Sequence, residues 1–108
     1  MATQILRPES VREMTRDQLT PEQKSASANN FFPGFFDTQG WGYGVAISTA
    51  PDAISKVPGR YGWFGGFGSD FIVDPNRDLI SIVMTQSTDY LFTGARERFA
   101  TELYTATA

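Results

Sequence analysis

Glycine and aromatic residues alternate through the middle of the chain, and this pattern limits the fold more than any other feature of the sequence. Eight of the ten glycines lie between Gly40 and Gly68. From Trp41 to Ile47 bulky residues alternate with small ones, which predicts a strand with one bulky and one nearly bare face. Because glycine inside a strand costs about 0.5–1 kcal/mol relative to alanine, these glycines need a particular reason.

The other periodicities predict an α+β fold, a three-stranded antiparallel meander followed by a C-terminal helix. We predict strands at 41–48, 60–73 and 79–85, with a turn over Asp74–Asp78. The third run is apolar on both faces, so we expect a central strand that more chain or a partner covers. Asp70 and Asp74 are interpreted as solvated polar positions. The chain divides into a helix and loop, the meander and the C-terminal helix, over residues 1–38, 39–90 and 91–108.

Helices are predicted on both sides of the meander. One covers residues 7–18, and the other covers residues 93–104 with an apolar inner face that includes Phe99. The polar stretch 19–30 predicts an exposed loop. The turn Phe31–Phe36 is expected to tuck its rings beneath an edge of the core.

The composition excludes several classes of function. The 108 residues contain no cysteine and no histidine, so there is no thiolate site, no histidine metal helix and no imidazole base. No cofactor or metal site is expected. The net charge of -3 disfavours nucleic acid as a partner, and no apolar run approaches the roughly 20 residues of a membrane span. Residues 1–9 lack an apolar signal core, which makes a cytoplasmic location the default expectation.

The run from Gly62 to Gly68 allows two interpretations that its residues leave open. It is either a kinked core strand with aromatic packing, or a strand edge whose bare glycines let a substrate carbonyl approach a backbone N–H. As a continuous strand it would place Trp63, Gly65 and Phe67 on one face. The residues between them would point to the other.

The stretch 60–86, together with Gly40-Trp41-Gly42-Tyr43-Gly44 before it, resembles the carboxyl-terminal strands of the serine β-lactamase-like superfamily. Within that superfamily it is most similar to the class C β-lactamase-like esterases and acyltransferases. Asp74-Pro75 resembles the family's hairpin, and residues 11–19 resemble the helix before this region. The resemblance implies a fragment of the family's five-stranded sheet domain.

The resemblance also implies roles for four residues. Trp63-Phe64-Gly65 matches the Trp-x-Gly form of the family's third active-site motif. Trp63 and Phe64 would then border the substrate, Trp63 as a wall of the acyl pocket, and Gly65 would leave room for it. The N–H of Gly66 would be one of two oxyanion-hole donors for an ester or amide substrate.

The family's other two motifs are not found in this sequence. The nucleophile belongs to Ser-x-x-Lys, but Pro21 and Ala53 stand three residues before Lys24 and Lys56. No Tyr-x-Asn or Tyr-x-Ser occurs either. We therefore expect the carboxyl-terminal portion of a serine hydrolase, inactive alone. Its partner would be the missing amino-terminal part, and it could self-associate through an exposed strand edge. The alternative is a non-catalytic module that binds a partner chain or an apolar ligand.

Overall fold

The computed structural model describes residues 3–108 as a five-stranded antiparallel sheet with five helices. The strands are β1 (Gln39–Trp41), β2 (Ala46–Ser48), β3 (Tyr61–Phe64), β4 (Asp70–Asp74) and β5 (Leu79–Val83). The helices are α1 (Pro8–Met14), α2 (Pro21–Ala26), α3 (Phe35–Thr38), α4 (Asp89–Phe92) and α5 (Ala95–Ala106). The strands follow one another across the sheet in chain order. This confirms the antiparallel meander and the C-terminal helix, with five strands instead of three. Among residues 3–108 the helices lack the length and the continuous apolar surface that a membrane span requires.

The strand count differs because a tight turn splits each of the first two predicted strands. In the first, the Gly42 N–H donates to the Val45 carbonyl at 2.8 Å. Gly44 within this turn has a φ of 90°, which glycine adopts without steric cost. The second run turns at residues 65–69. In the first run the alternation of large and small residues continues through the turn, which is why the sequence pattern did not reveal it. In the second run the paired glycines Gly65 and Gly66 interrupt the alternation, and they mark the turn.

Helix α2 lies inside the stretch 19–30, so the prediction of a loop there was wrong. The Thr20 hydroxyl accepts the Gln23 N–H at 3.2 Å, and the Gln23 side chain accepts the Thr20 N–H at 2.8 Å. This reciprocal pair is a capping box, which satisfies two N–H groups at the helix start. The short sequence Thr-Pro-Glu-Gln therefore carried a helix signal.

The segment after α1 packs along the outer edge of β1. Helix α1 ends at Met14 and not at the predicted Gln18. Asp17 accepts the Trp41 N–H at 3.1 Å. A side chain at position 40 would collide with the Asp17 carboxylate, so Gly40 is explained by this close packing.

Helix α5 packs on β4 through a different face from the predicted one. Phe99, expected on the inner face, is 45% exposed. The inward residues are spaced by four and are Arg96, Ala100 and Tyr104. They meet Asp70 and Asp74, which are 5% and 1% exposed, so the expectation that both carboxylates are solvated was wrong. The sheet offers two buried carboxylates, and α5 turns its polar partners toward them.

Strand β5 lies at an edge of the described sheet and not at its centre. Within residues 3–108 it pairs with β4 alone. Ile80 and Ile82 are each 66% exposed, and Met84 after the strand is 81% exposed. The apolar residues that suggested a central strand therefore form an uncovered surface.

Candidate functional site

A tight turn connects β3 to β4 and presents backbone to solvent. The Gly65 N–H donates to the Ser69 carbonyl at 2.8 Å, and the Gly68 N–H donates to the Gly65 carbonyl at 3.0 Å. Gly66 and Phe67 form the exposed tip. The predicted alternation of faces therefore ends at Gly65, because the chain leaves the strand there.

The glycines of this region are of two kinds. A side chain at Gly62 would collide with the backbone of Phe71 on the neighbouring strand. Gly68 has a φ of 108°, and a side chain there would strike the backbone of residue 87. In contrast, a Cβ at Gly65 or Gly66 would meet no atom within 4 Å. Close packing thus explains the first pair, and it leaves the second pair unexplained.

Trp63 is held next to this open space by other aromatic rings. Trp41 packs against it edge to face, with ring centroids 4.7 Å apart. Phe64 stacks on it at 4.6 Å. Phe31 and Phe35 contact it edge-on at 5.5 Å and 6.1 Å. Such offset and edge-to-face pairs are favourable beyond the burial of their area, so they fix the orientation of the Trp63 ring.

The turn Phe31–Phe36 contributes two exposed rings to the group of aromatic side chains around Trp63. Phe31 is 45% and Phe32 is 49% exposed, while Phe35 and Phe36 are half-buried. Phe32 stacks on Phe64 with centroids 6.0 Å apart. The expectation that all these rings tuck beneath the core was wrong for the first two. No periodicity in the sequence marked them as neighbours of Trp63.

An ion pair bounds the site on the side of α4 and α5. The Arg96 guanidinium lies 4.4 Å from the centre of the Phe64 ring, and its Nε is 3.1 Å from Oδ1 of Asp70. The two groups attract as charges but are not aligned for a hydrogen bond. Burial raises the pKa of the Asp70 carboxyl, and Arg96 opposes this only in part. Burial, and then the charge of Asp70, raise the pKa of the Tyr90 hydroxyl.

The four residues singled out from the sequence lie next to one another. Trp63 and Phe64 end β3, and Gly65 and Gly66 follow in the turn. Gly66 is an exposed residue, and its N–H makes no hydrogen bond within residues 3–108. An unpaired N–H of this kind is available to a ligand oxygen. Over the same residues, no group of three acidic side chains is placed to hold a metal ion.

A cavity of about 270 Å³ adjoins these residues between the sheet and α4–α5. Its walls are mainly apolar and include Phe32, Trp63, Phe64, Ile72 and Leu91. Two charged residues of the lining, Arg60 and Asp52, form an ion pair with each other. The aromatic rings around Trp63 therefore border both the turn after β3 and a partly open, mainly apolar cavity.

Comparisons with known proteins agree with this architecture. A family model described as Beta-lactamase matches residues 1–106. The chain is 36% identical over 89 residues to Protein Rv1367c of Mycobacterium tuberculosis strain H37Rv, and equally similar to the uncharacterized protein MT1414 of strain CDC 1551. Each match covers 76% of this chain and 21% of the relative, so the chain spans about a fifth of the curated relatives' length. Because the family model matches nearly the whole sequence, the chain belongs to the β-lactamase family.

Proposed function

We propose that this chain is the oxyanion-side, carboxyl-terminal portion of a serine hydrolase that acts on esters or amides. The observation that carries the proposal is the open space at Gly65 and Gly66 beside Trp63. Close packing explains Gly62 and Gly68, but it gives no reason for glycine at these two positions. Room for a substrate is such a reason.

The backbone of Gly66 supplies the chemistry in this proposal. Its N–H donates to the oxygen that becomes negatively charged as an acyl group is attacked. A fixed donor of this kind stabilises the transition state, and its loss typically costs about 10²- to 10³-fold in kcat. Trp63 bounds the acyl group on one side. The open space at Gly65 lets the scissile carbonyl reach the turn.

The nucleophile must come from outside this chain. Neither lysine stands three residues after a serine, and the curated relatives are about five times longer than the matched region. We propose that the amino-terminal part of the hydrolase supplies Ser-x-x-Lys, whether from the same gene or as a separate chain. Ser-x-x-Lys in the coding sequence directly upstream would support this assignment.

The test replaces Gly66 by proline in the hydrolase that contains both parts. Gly66 lies at the second position of a turn closed by the Gly68 N–H, where proline is well tolerated. Gly66→Pro removes the N–H and should lower kcat by roughly 100-fold or more. Gly66→Ala is the matched control, because it keeps the N–H and therefore measures the loss that a side chain in the space of the substrate causes by itself; within the chain its Cβ meets nothing within 4 Å.

Hydrolysis of an activated ester measures both variants, and thermal melting verifies that each is folded. A folded Gly66→Pro variant that turns over the ester at the parental rate would contradict the role of the N–H. Equal losses in Gly66→Pro and Gly66→Ala would indicate a steric effect, which also contradicts it.

A second candidate function, a non-catalytic interaction module, is favoured by the uncovered surface at β5. Ile80 and Ile82 project from an edge strand, and such strands pair readily with other chains. We expect the isolated chain to form dimers or larger species at micromolar concentration in analytical sedimentation. Ile82→Lys should shift it toward monomer, because edge lysines oppose pairing. If the parental chain sedimented as a monomer, this would contradict the expectation that the edge strand β5 pairs with other chains.

A further inference from the structure

The cavity between the sheet and α4–α5 has the properties of a binding site for a small apolar molecule. It lies directly beside Trp63, but Gly65 and Gly66 are not among its lining residues. A ligand there is therefore distinct from the carbonyl group assigned to the turn. We infer that this cavity binds a neutral aryl compound that carries a single hydroxyl group.

The size of the cavity sets the size of the ligand. An apolar protein cavity of about 150 Å³ binds benzene. The present cavity, at about 270 Å³, has room for a bicyclic aromatic molecule. Phe32, Trp63 and Phe64 supply ring faces and edges along its wall. Aromatic pairs of this kind favour a flat aromatic ligand over a compact aliphatic one.

The charges of the cavity favour a neutral ligand. Arg60 is paired with Asp52, and Arg96 is paired with Asp70. Both positive side chains are thus already compensated within the chain. Glu97 remains at the rim as an exposed negative group without an ion pair among residues 3–108. A carboxylate ligand would meet this charge and find no unpaired cation, so an anion should bind less well.

Unpaired polar atoms at the lining residue Arg96 and behind it are the reason for the hydroxyl group of the ligand. Oδ1 of Asp70, Nε of Arg96 and the Tyr90 hydroxyl are buried without a hydrogen bond in the described part of the chain. Buried polar atoms in native proteins nearly always have a partner. Of these three residues only Arg96 lines the cavity; Asp70 lies behind it, with Oδ1 3.1 Å from the Arg96 Nε, and Tyr90 precedes the lining residue Leu91. One hydroxyl can donate to Asp70 and accept from Arg96, which would satisfy both groups.

The test is a titration of the purified 108-residue chain with 2-naphthol, followed by ¹H–¹⁵N spectra of the two indole N–H groups. Trp63 lines the cavity, and Trp41 does not. We expect the Trp63 signal to shift with saturation and the Trp41 signal to shift less. The 2-naphthoate anion, which has the same ring system, should bind at least about tenfold more weakly because of its charge.

Variants locate the site. Phe32→Ala removes an aromatic wall and should weaken binding by about tenfold. Phe99→Ala is its matched control, since Phe99 is similarly exposed but does not line the cavity, and it should change affinity by less than about twofold. Ala53 is an exposed loop residue that lines the cavity, so Ala53→Leu places a larger side chain there and narrows the cavity. It keeps the test decisive even if Phe32→Ala is poorly folded, and it should also weaken binding.

Several results would overturn the inference. They are an unchanged Trp63 signal at the solubility limit of 2-naphthol, equal binding of the anion, equal effects of Phe32→Ala and Phe99→Ala, or unaltered affinity in Ala53→Leu. None of these measurements involves ester turnover. Loss of the hydrolase proposal would therefore leave this one standing, and the reverse holds as well.

Discussion

The two ends of strand β4 each carry a buried aspartate, and the surroundings of the two carboxylates differ. Asp74 is 1% exposed and accepts the Tyr104 hydroxyl at 2.6 Å and the Asn76 N–H at 3.0 Å. Asp70 is 5% exposed and faces Arg96, yet its Oδ1 makes no hydrogen bond within residues 3–108. The first carboxylate is fully satisfied and the second is not.

Position along the strand explains the difference. The Asp74 end meets the last turns of α5, where the Arg77 guanidinium lies 4.5 Å from the centre of the Tyr104 ring and donates to the Tyr104 carbonyl at 2.7 Å. The Asp70 end pairs with Phe64, immediately before the open turn. The same chemical group therefore anchors a helix at one end. At the other end it retains hydrogen-bonding capacity beside the proposed sites.

The largest expected effect lies at the satisfied end. Tyr104→Phe leaves Oδ2 of Asp74 buried without its donor, and an unsatisfied buried acceptor costs about 1–3 kcal/mol. We expect Tyr104→Phe to lose about 2 kcal/mol of unfolding free energy. Tyr90→Phe is the matched control, because the Tyr90 hydroxyl is buried without a hydrogen bond. Its removal should be neutral or slightly stabilising.

Urea denaturation of the purified chain measures both tyrosine variants. Similar losses in Tyr104→Phe and Tyr90→Phe would mean that the two ends of β4 are equivalent. A larger loss in Tyr90→Phe would reverse the comparison.

The sequence predicted those parts of the fold that local signals determine. The turn after β4 followed from Asp74-Pro75 and the run of apolar residues that comes next, and β5 begins at Leu79 as predicted. The burial of Asp70 and Asp74 did not follow, because it depends on partners 26 and 30 positions further along the chain, at Arg96 and Tyr104. The predicted inner face of α5 was wrong for the same reason, because the residues it packs against are distant in the sequence.

In the candidate site, too, the features set by neighbouring residues could be predicted and those set by distant residues could not. Trp63, Phe64, Gly65 and Gly66 are adjacent in sequence, and a motif resemblance was enough to select them. The cavity needs residues from seven separate stretches of the chain, which include the turn at 31–36 and helices α4 and α5. No spacing rule joins such segments. Close packing requires some of the glycines, but this depends on atoms of neighbouring segments. The glycine–aromatic pattern of the sequence could therefore not distinguish them from the others.

The smallest expected effect concerns the charge of Asp70. Burial raises the pKa of this carboxyl, and Arg96 compensates incompletely. A carboxyl with a higher pKa in the folded chain holds its proton more tightly there. Its contribution therefore favours folding below the ordinary value of 3.8 and is lost as the pH rises through the folded pKa. Asp70→Asn should remove this loss and be at least as stable as the parent near neutral pH, with a difference below about 1 kcal/mol.

Asp52 is a control for this last prediction, because its pKa is shifted in the opposite direction. Burial pushes the pKa of Asp52 upward, but hydrogen bonds from Arg60 and from the Ser55 N–H outweigh it and hold the pKa below its ordinary value. Its contribution is present above the unfolded pKa and is lost on acidification. Unfolding free energies from about pH 2 to about pH 7 should therefore change in opposite directions: Asp52→Asn loses stability relative to the parent as the pH rises toward 3.8, and Asp70→Asn gains stability relative to the parent as the pH rises above 3.8. If Asp70→Asn instead lost stability toward neutral pH, the Arg96 ion pair would outweigh burial, and Asp70 would be as well satisfied as Asp74.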